Sequence, residues 1–251
     1  MDLSLLSLVV TAPLTLLGAA TTDNTFHWTG RVAAGQMVEV RGINGSIHAQ
    51  PSSGESVDVI AYKSGRAYDP AAIGVKVVEY EGGVRIVALP GEAAGDSGIP
   101  SGDVNVDFTV SVPSGVRFIG RTVNGLVEAT SLDADAEAHT VNGNVVLSTT
   151  GSAQGETVNG SIKASLGKIS SPLKFSTVNG EISVEMPHTA SAKIHAKTMN
   201  GPIRSDFPLT MHGAFPASRA DGVIGCGGPE LKIATVNGSI SLRRNKRITK
   251  L

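Results

Sequence analysis

The stretch His139-Thr140-Val141-Asn142-Gly143-Asn144-Val145-Val146, HTVNGNVV, is one copy of a motif that recurs through the second half of this chain. Thr-Val-Asn-Gly stands at 122–125, 140–143, 157–160, 177–180 and 235–238. Thr198-Met199-Asn200-Gly201 is a variant and Gly42-Ile43-Asn44-Gly45 an outlier. The turn motif thus comprises Asn44-Gly45, Asn124-Gly125, Asn142-Gly143, Asn159-Gly160, Asn179-Gly180, Asn200-Gly201 and Asn237-Gly238. From Asn124 onward the asparagines are spaced 18, 17, 20, 21 and 37 residues apart. The last, double gap holds a Gly/Pro-rich insert, Phe207 to Pro229. Between copies lies a second turn signal, as in Thr150-Gly151-Ser152, Leu166-Gly167-Lys168 or Pro187-His188-Thr189. Each unit therefore reads strand, turn, strand, Asn-Gly turn, and a period near ~20 with two strands per unit is the mark of a stacked repeat.

Two architectures fit that unit. Asn-Gly between strands is a strong hairpin signal because both residues tolerate positive φ. A tight hairpin would set Thr177 against Ile182 and Phe175 against Val184, and would pair Arg121 with Glu128, Glu156 with Lys163 and Lys174 with Glu185. The same register opposes Lys197 to Arg204 and Lys232 to Arg243, and Pro202 removes the N–H that closes such a turn. The alternative is a β-solenoid of two-stranded rungs, in which Asn-Gly is a corner passing the chain from one sheet to the facing one. Parallel partners then come from the next rung, ~4.8 Å away. Here identical letters have a reason: Thr lies on Thr, Val on Val, and Asn side chains can hydrogen-bond along the stack. The residue two after each Gly is Ile47, Val127, Val145, Ile162, Ile182, Ile203 or Ile240, which would form one buried apolar column. The solenoid is the favoured reading and stacked antiparallel hairpins the alternative.

Upstream, from Phe26 to Phe118, alternating segments such as Ser56 to Tyr62, Val75 to Val78 and Val104 to Val110 read as half-buried strands. Asp69 to Ile73 is the one place for a short helical turn, and Gly91 to Gly102 reads as a surface loop. The chain thus divides into a β-strand region over 21–120, continuous with the solenoid, and a repeat solenoid over 121–251 with the insert at 207–229. The basic end, Arg243-Arg244-Asn245-Lys246-Arg247 with Lys250, reads as a solvated terminus. It and the irregular N-terminal strands are the candidate caps against end-to-end self-association.

The composition of the 251 residues supports thin layers: 41% are hydrophobic but only 4% aromatic, and 30 are glycine. A net charge of −1 gives no reason to expect nucleic acid. Leu3 to Leu17 is nearly uninterrupted apolar sequence, and Gly18-Ala19-Ala20 supplies small residues before Thr21. Residues 1–20 are therefore expected to be a signal peptide cut after Ala20, although Met1-Asp2 lacks the usual positive charge. The stretch is shorter than the ~20 residues of a spanning helix, and Pro13 interrupts it, so the mature chain is expected to keep no transmembrane helix. The lone Cys226 rules out an intramolecular disulfide framework.

Reactive constellations are few. Asp133, Asp135 and Glu137 alternate and on a strand would share a face, which could hold a hard cation, but the motif lacks a carbonyl-rich turn and reads as a wet strand or loop. His27, His48, His139, His188, His195 and His212 lack metal-ligand spacing. His139 and Glu156 occupy equivalent outer positions of adjacent repeats and should stack as a surface pair. Cys226 sits in a Gly-rich turn with no activating base. No catalytic, cofactor or metal residue is therefore assigned.

Asn-Gly-x-Ile/Val repeats, Ser111-Val112-Pro113 before an alternating strand, and the ending Gly222-Val223-Ile224-Gly225 through Thr235-Val236-Asn237-Gly238-Ser239-Ile240 together resemble the bacterial "putative adhesin" β-strand-repeat family, over residues 25 to 244. The resemblance implies a solenoid-like body and an envelope or exported location, and brings no catalytic residues. The expected function is a non-enzymatic exported scaffold or binding module of the periplasm, envelope or cell surface, whose partner is an envelope protein or surface polymer. An envelope-state sensor and a polysaccharide-active solenoid enzyme are the alternatives.

Overall fold

A computed structural model describes residues 20–22, 24–65, 70, 73–90, 104–213 and 218–245. The expected signal peptide apart from Ala20, the loop expected at 91–102 and most of the helical turn at 69–73 lie outside the described residues.

The motif turns the chain between two facing sheets. Each rung has one strand before the Asn-Gly corner and one after it. In chain order the rungs are β3 (Met37–Arg41) and β4 (Ile47–Pro51), β9 (Arg117–Arg121) and β10 (Val127–Leu132), and β11 (Ala136–His139) and β12 (Val145–Thr149). They continue with β13 (Ala153–Glu156) and β14 (Ile162–Ser165), β15 (Leu173–Ser176) and β16 (Ile182–Met186), β17 (Ala192–Asn200) and β18 (Ile203–Ser205), and β21 (Glu230–Asn237) and β22 (Ile240–Arg244). Strands after the corner join one 11-stranded sheet, strands before it a second, also of 11. Neighbouring rungs pair in parallel, as Val127 on Val145 and Ile162 on Ile182. The hairpin alternative is thereby excluded: Phe175 and Val184 belong to different sheets, and Glu156 meets Lys174 of the next rung instead of Lys163.

Period-two alternation makes each strand bury every second residue, and both sheets turn those residues toward one core. The expected column after the corners is its spine: Ile47, Val127, Val145, Ile182 and Ile240 are fully buried, with Ile162 and Ile203 nearly so. Facing it from the other sheet runs the register column Val40, Gly120, Ala138, Gly155, Phe175 and Ile233. Where the partner side chain is bulky the facing one is small: Gly120 has no room for a Cβ because Val127 and Phe118 already fill the space.

The remaining strands close the N-terminal end. β7 (Gly83–Pro90) and β8 (Val104–Val112) pair in parallel with β3 and β4, so they form one more rung whose corner is replaced by residues 91–103. Antiparallel strands then cover it: β5 (Ser56–Gly65), β2 (Thr25–Arg31) and β1 (Ala20–Thr22) in the first sheet, β6 (Ile73–Tyr80) in the second. The upstream region is thus continuous with the repeats through both sheets.

At the other end rung order departs from chain order. The last rung, β21 and β22, inserts between β15/β16 and β17/β18. The edge is formed instead by β18 and by β19 (Thr210–His212) with β20 (Arg219–Ile224), which pairs antiparallel to β17. Of the basic segment expected as a cap, only Arg243 to Asn245 lie among the described residues. Arg243 and Arg244 end β22, which β16 flanks on one side and β18 on the other only as far as Leu242.

Candidate functional site

The corner motif answers, letter by letter, why it is repeated. Asn side chains form a one-directional ladder: each Nδ2 donates to the Oδ1 of its neighbour, Asn124 to Asn44 at 2.7 Å, Asn142 to Asn124 at 2.8 Å, Asn159 to Asn142 at 2.9 Å and Asn179 to Asn159 at 2.8 Å. It continues from Asn237 to Asn179 at 2.8 Å and from Asn200 to Asn237 at 2.7 Å. Such a chain of amides polarises its members in one sense. Gly is required by the approach of successive rungs. A Cβ on Gly143 would lie 2.0 Å from the carbonyl oxygen of Gly125, and one on Gly238 1.9 Å from that of Gly180. No Asn of the motif has positive φ, so the close approach, not a hairpin turn, selects the pair.

Thr has a role that the sequence pattern does not announce. Its buried hydroxyl donates to the carbonyl of the Gly one rung back: Thr140 to Gly125 at 3.0 Å, Thr157 to Gly143 at 2.9 Å, Thr177 to Gly160 at 2.9 Å and Thr235 to Gly180 at 3.1 Å. The expected Thr-on-Thr contact is thus a Thr-to-Gly tie. Val in place of Thr would leave that carbonyl short of a partner.

Val is the letter the corner does not need. Val123, Val141, Val158 and Val178, with Ile43, are each 39% exposed and lie one above another. Val236 is half-buried in the same column and Met199 ends it at 67% exposure. A β-branched residue suits the extended backbone, but Thr would serve as well. The column is an apolar ridge of seven residues rising beside the exposed amides of the Asn ladder, roughly 29 Å long at ~4.8 Å per rung.

The outer face of the second sheet carries a row of paired charges. Glu39, nearly buried, accepts from Arg41 Nε at 2.7 Å and Arg85 Nε at 2.6 Å. Burial works against its charge, but the two guanidiniums outweigh it and hold the carboxyl below the usual range. Arg121 reaches Glu137 at 2.6 Å, and its Nε sits 3.3 Å from Glu39 without an aligned hydrogen bond. His139 lies 2.5 Å from Glu137 and 3.5 Å from Glu156, and Lys174 closes the row on Glu156 at 2.5 Å. The stacking expected of His139 and Glu156 is therefore present. The hydrogen bond from His139 lowers the Glu137 pKa against the opposing effect of burial.

The three alternating carboxylates do not converge. Asp133 and Asp135 fall in the turn before β11, not on a strand, and only Glu137 lies on the sheet face. Asp133 accepts from the Ser114 hydroxyl and from Gly115 N–H at 2.9 Å, one rung back. Asp135 accepts from Ser152 N–H at 2.9 Å, one rung forward. They are ties between rungs, more than the wet residues the sequence suggests. Among the described residues no group of three or more His, Cys, Asp or Glu is placed to hold a metal ion. His48 pairs with Glu128 at 3.1 Å, His27 with Asp58 at 2.5 Å and His195 with Asp221 at 2.7 Å. Cys226 is an exposed free thiol whose N–H donates to Ser191 Oγ at 3.1 Å.

The family model of Toastrack DUF4097 matches residues 75–243, more than half of the chain. The chain belongs to the Toastrack DUF4097 family. That model begins at β6, so the Toastrack match takes in the rung without an Asn-Gly corner and every later rung, and leaves out β1 to β5. Two solved structures are similar to this Toastrack chain. One is a "putative cell adhesion protein" from Clostridium sporogenes, 10% identical, aligned over 87% of this chain and 99% of that one with a TM-score of 0.47. The other is a "putative adhesin" from Bacteroides fragilis, 13% identical, aligned over 89% and 98% with a TM-score of 0.42. No curated protein matches.

Proposed function

We propose that this Toastrack chain is a non-enzymatic scaffold of the cell envelope, exported by the apolar segment at its N-terminus, that binds a surface polymer or another envelope protein along its corner ridge. The observation that carries this reading is the valine column. Thr, Asn and Gly of the motif are each accounted for by contacts between rungs, whereas Val141 and its equivalents stay 39% exposed in an unbroken line. An ordered apolar patch next to a line of amide groups offers both contact area and hydrogen bonding to a partner laid along the stack. The Leu3 to Leu17 segment with Gly18-Ala19-Ala20 supports export.

The test replaces Val123, Val141, Val158 and Val178 together by Thr, which keeps the β-branched shape. The purified chain and this variant are sedimented with isolated cell envelopes. Retention of the parent and loss of at least tenfold in the variant, at equal melting temperature, supports the proposal; equal retention of both removes the ridge from it. Release of saccharide fragments during the incubation would contradict the non-enzymatic reading.

A further inference from the structure

The reversal of the last two rungs leaves a step in the first sheet. β22 is flanked by β16 along its whole length but by β18 only through Leu242. Beyond Ser205 the chain leaves the sheet, and Asp206 plugs the exposed edge: its N–H donates to Leu242 O at 2.9 Å, and its carboxylate accepts from Arg244 N–H at 3.0 Å. Beside this plug lies a groove of about 730 Å³, lined among others by Arg204, Arg243, Arg244, Ser241, Glu185 and Asp206.

The arginines of the groove differ from four of the five on the second sheet, Arg117 being the exception. Arg41, Arg85, Arg121 and Arg219 each sit on a carboxylate there. Among the described residues, none of Arg204, Arg243 and Arg244 has a carboxylate oxygen within 4.0 Å. Arg243 spends its Nε on Ser241 Oγ at 3.2 Å, and Arg244 lies over the Phe207 ring at 5.2 Å. Both are thereby oriented, with most of their fork donors unused. Glu185 is the register neighbour of Arg243 yet makes no ion pair with it, and the Asp206 carboxylate is taken by a backbone N–H. A guanidinium fork held in place and lacking an anion is matched to a planar oxyanion, which it grips with two parallel hydrogen bonds.

The groove opens onto hydroxyls and one more cation. The sheet register sets Arg204 beside Ser241, Ser241 beside Ser183 and Ser183 beside Lys163. That row runs about 14 Å across the strands at ~4.8 Å per step. The row has a cation at each end with two serines between, of which Ser241 is buried and accepts from Arg243 while Ser183 is part-exposed. Cations spaced in this way suit a chain whose carboxylates are separated by sugar hydroxyls. We propose that this groove is the binding site for a carboxylate of an acidic polysaccharide, with Arg204 and Arg243 on the carboxylate and the neighbouring sugar lying over Ser183 toward Lys163. The site shares no residue with the valine ridge, so either can fail while the other stands.

The experiment titrates the full chain with a hexamer of galacturonic acid by calorimetry at low and at moderate salt. The comparison is the double variant Arg204→Gln, Arg243→Gln, whose two side chains hold no ion pair and whose melting temperature should match the parent. The expected result is binding that weakens with salt, a loss of at least tenfold in the double variant, and no change in a control with Lys193→Gln and Lys197→Gln on the other sheet. A neutral hexamer of galactose should bind at least tenfold more weakly than the acid. Undiminished binding by the double variant would overturn the proposal. So would preference for polyphosphate or for vesicles of phosphatidylglycerol over the uronate, or no binding of the uronate by the parent.

Discussion

The rungs cornered at Asn124, Asn142, Asn159 and Asn179 stack in the order in which they are written, whereas the rungs at Asn200 and Asn237 stack in reverse. Local chemistry is the same in both regions. Thr198 ties to Gly238 at 2.9 Å as Thr140 ties to Gly125 at 3.0 Å, and Asn200 meets Asn237 as closely as any pair in the sequential part. What differs is the connection. In the sequential part each connection reaches the adjacent level, but the short turn from β16 to β17 skips one and leaves a vacant place beside β15 and β16. Between the last two rungs the insert builds β19 and β20, and β20 occupies the outer edge of β17. The returning chain must then take the inner edge, between β17 and β15. The motif therefore specifies that copies stack, and the edge of β17 that the insert occupies specifies where the last copy stacks.

The largest effect that could break the comparison is a charge in the spine of the sequential part. Val145→Asp or Ile162→Asp buries an unpaired carboxylate in a column that is fully or almost fully excluded from water, at a cost of several kcal/mol. Thermal unfolding by circular dichroism should show the repeat region lost, and a soluble variant melting normally would show that the column is not core. Next comes removal of residues 230–251, which withdraws the inserted rung. Hydrogen exchange should show protection lost over β17 and β18 but kept over β10 to β14, because a stack responds mainly to its nearest neighbours. Equal loss throughout would mean that the reversed end holds up the whole stack.

A third measurement compares the corner glycines. Gly143→Ala thrusts a methyl against the Gly125 carbonyl with rungs fixed above and below, and should cost about 2–3 kcal/mol by chemical denaturation. Gly201→Ala meets the Gly238 carbonyl at 2.1 Å and adds the strain of a φ of 151°. Its rung ends the ladder, however, and can shift outward to relieve the clash, so the loss should be the smaller of the two. The Asn ladder gives the smaller counterpart. Asn142→Ala breaks two side-chain hydrogen bonds and Asn200→Ala one, at about 0.5–1 kcal/mol for each exposed bond.

The smallest expected effect concerns acid. Glu39, Glu137 and Glu156 all have folded pKa values below the ordinary carboxylate value. Each then contributes stability that is present above the unfolded pKa and is lost as pH falls through the folded one. The melting temperature should hold from neutral pH down to about 5 and fall below it. Glu39→Gln, which leaves Arg41 and Arg85 without their shared anion, should lower it at neutral pH and flatten the acid slope. A parallel shift with unchanged slope would show that Glu39 does not take part in that linkage.

Legibility followed the range of the cause. Val145, Ile162 and their equivalents could be placed in the core from spacing alone, because strand alternation and a fixed offset from Gly are local rules. The Asn ladder followed from one physical consequence of stacking. The Thr hydroxyls were missed because their acceptor is a backbone carbonyl of another rung, which has no letter in the sequence. Asp133 and Asp135 were read as solvated for the same reason: their partners are the N–H groups of Gly115 and Ser152. The ridge of Val123, Val141, Val158 and Val178 became visible only once the other three letters had been accounted for.

By itself, the sequence determined that seven Asn-Gly turns join successive strands and that one apolar column follows them. The parallel register decided that they are corners between two sheets and not hairpins. Identical corners are mutually compatible, which is why the stack could be foreseen. That same identity makes their order degenerate, since any copy fits on any other with equal chemistry. Only the tertiary structure decided that the last rung lies inside the one before it, by giving β20 the outer edge of β17, and so left the arginine-lined step beside β22.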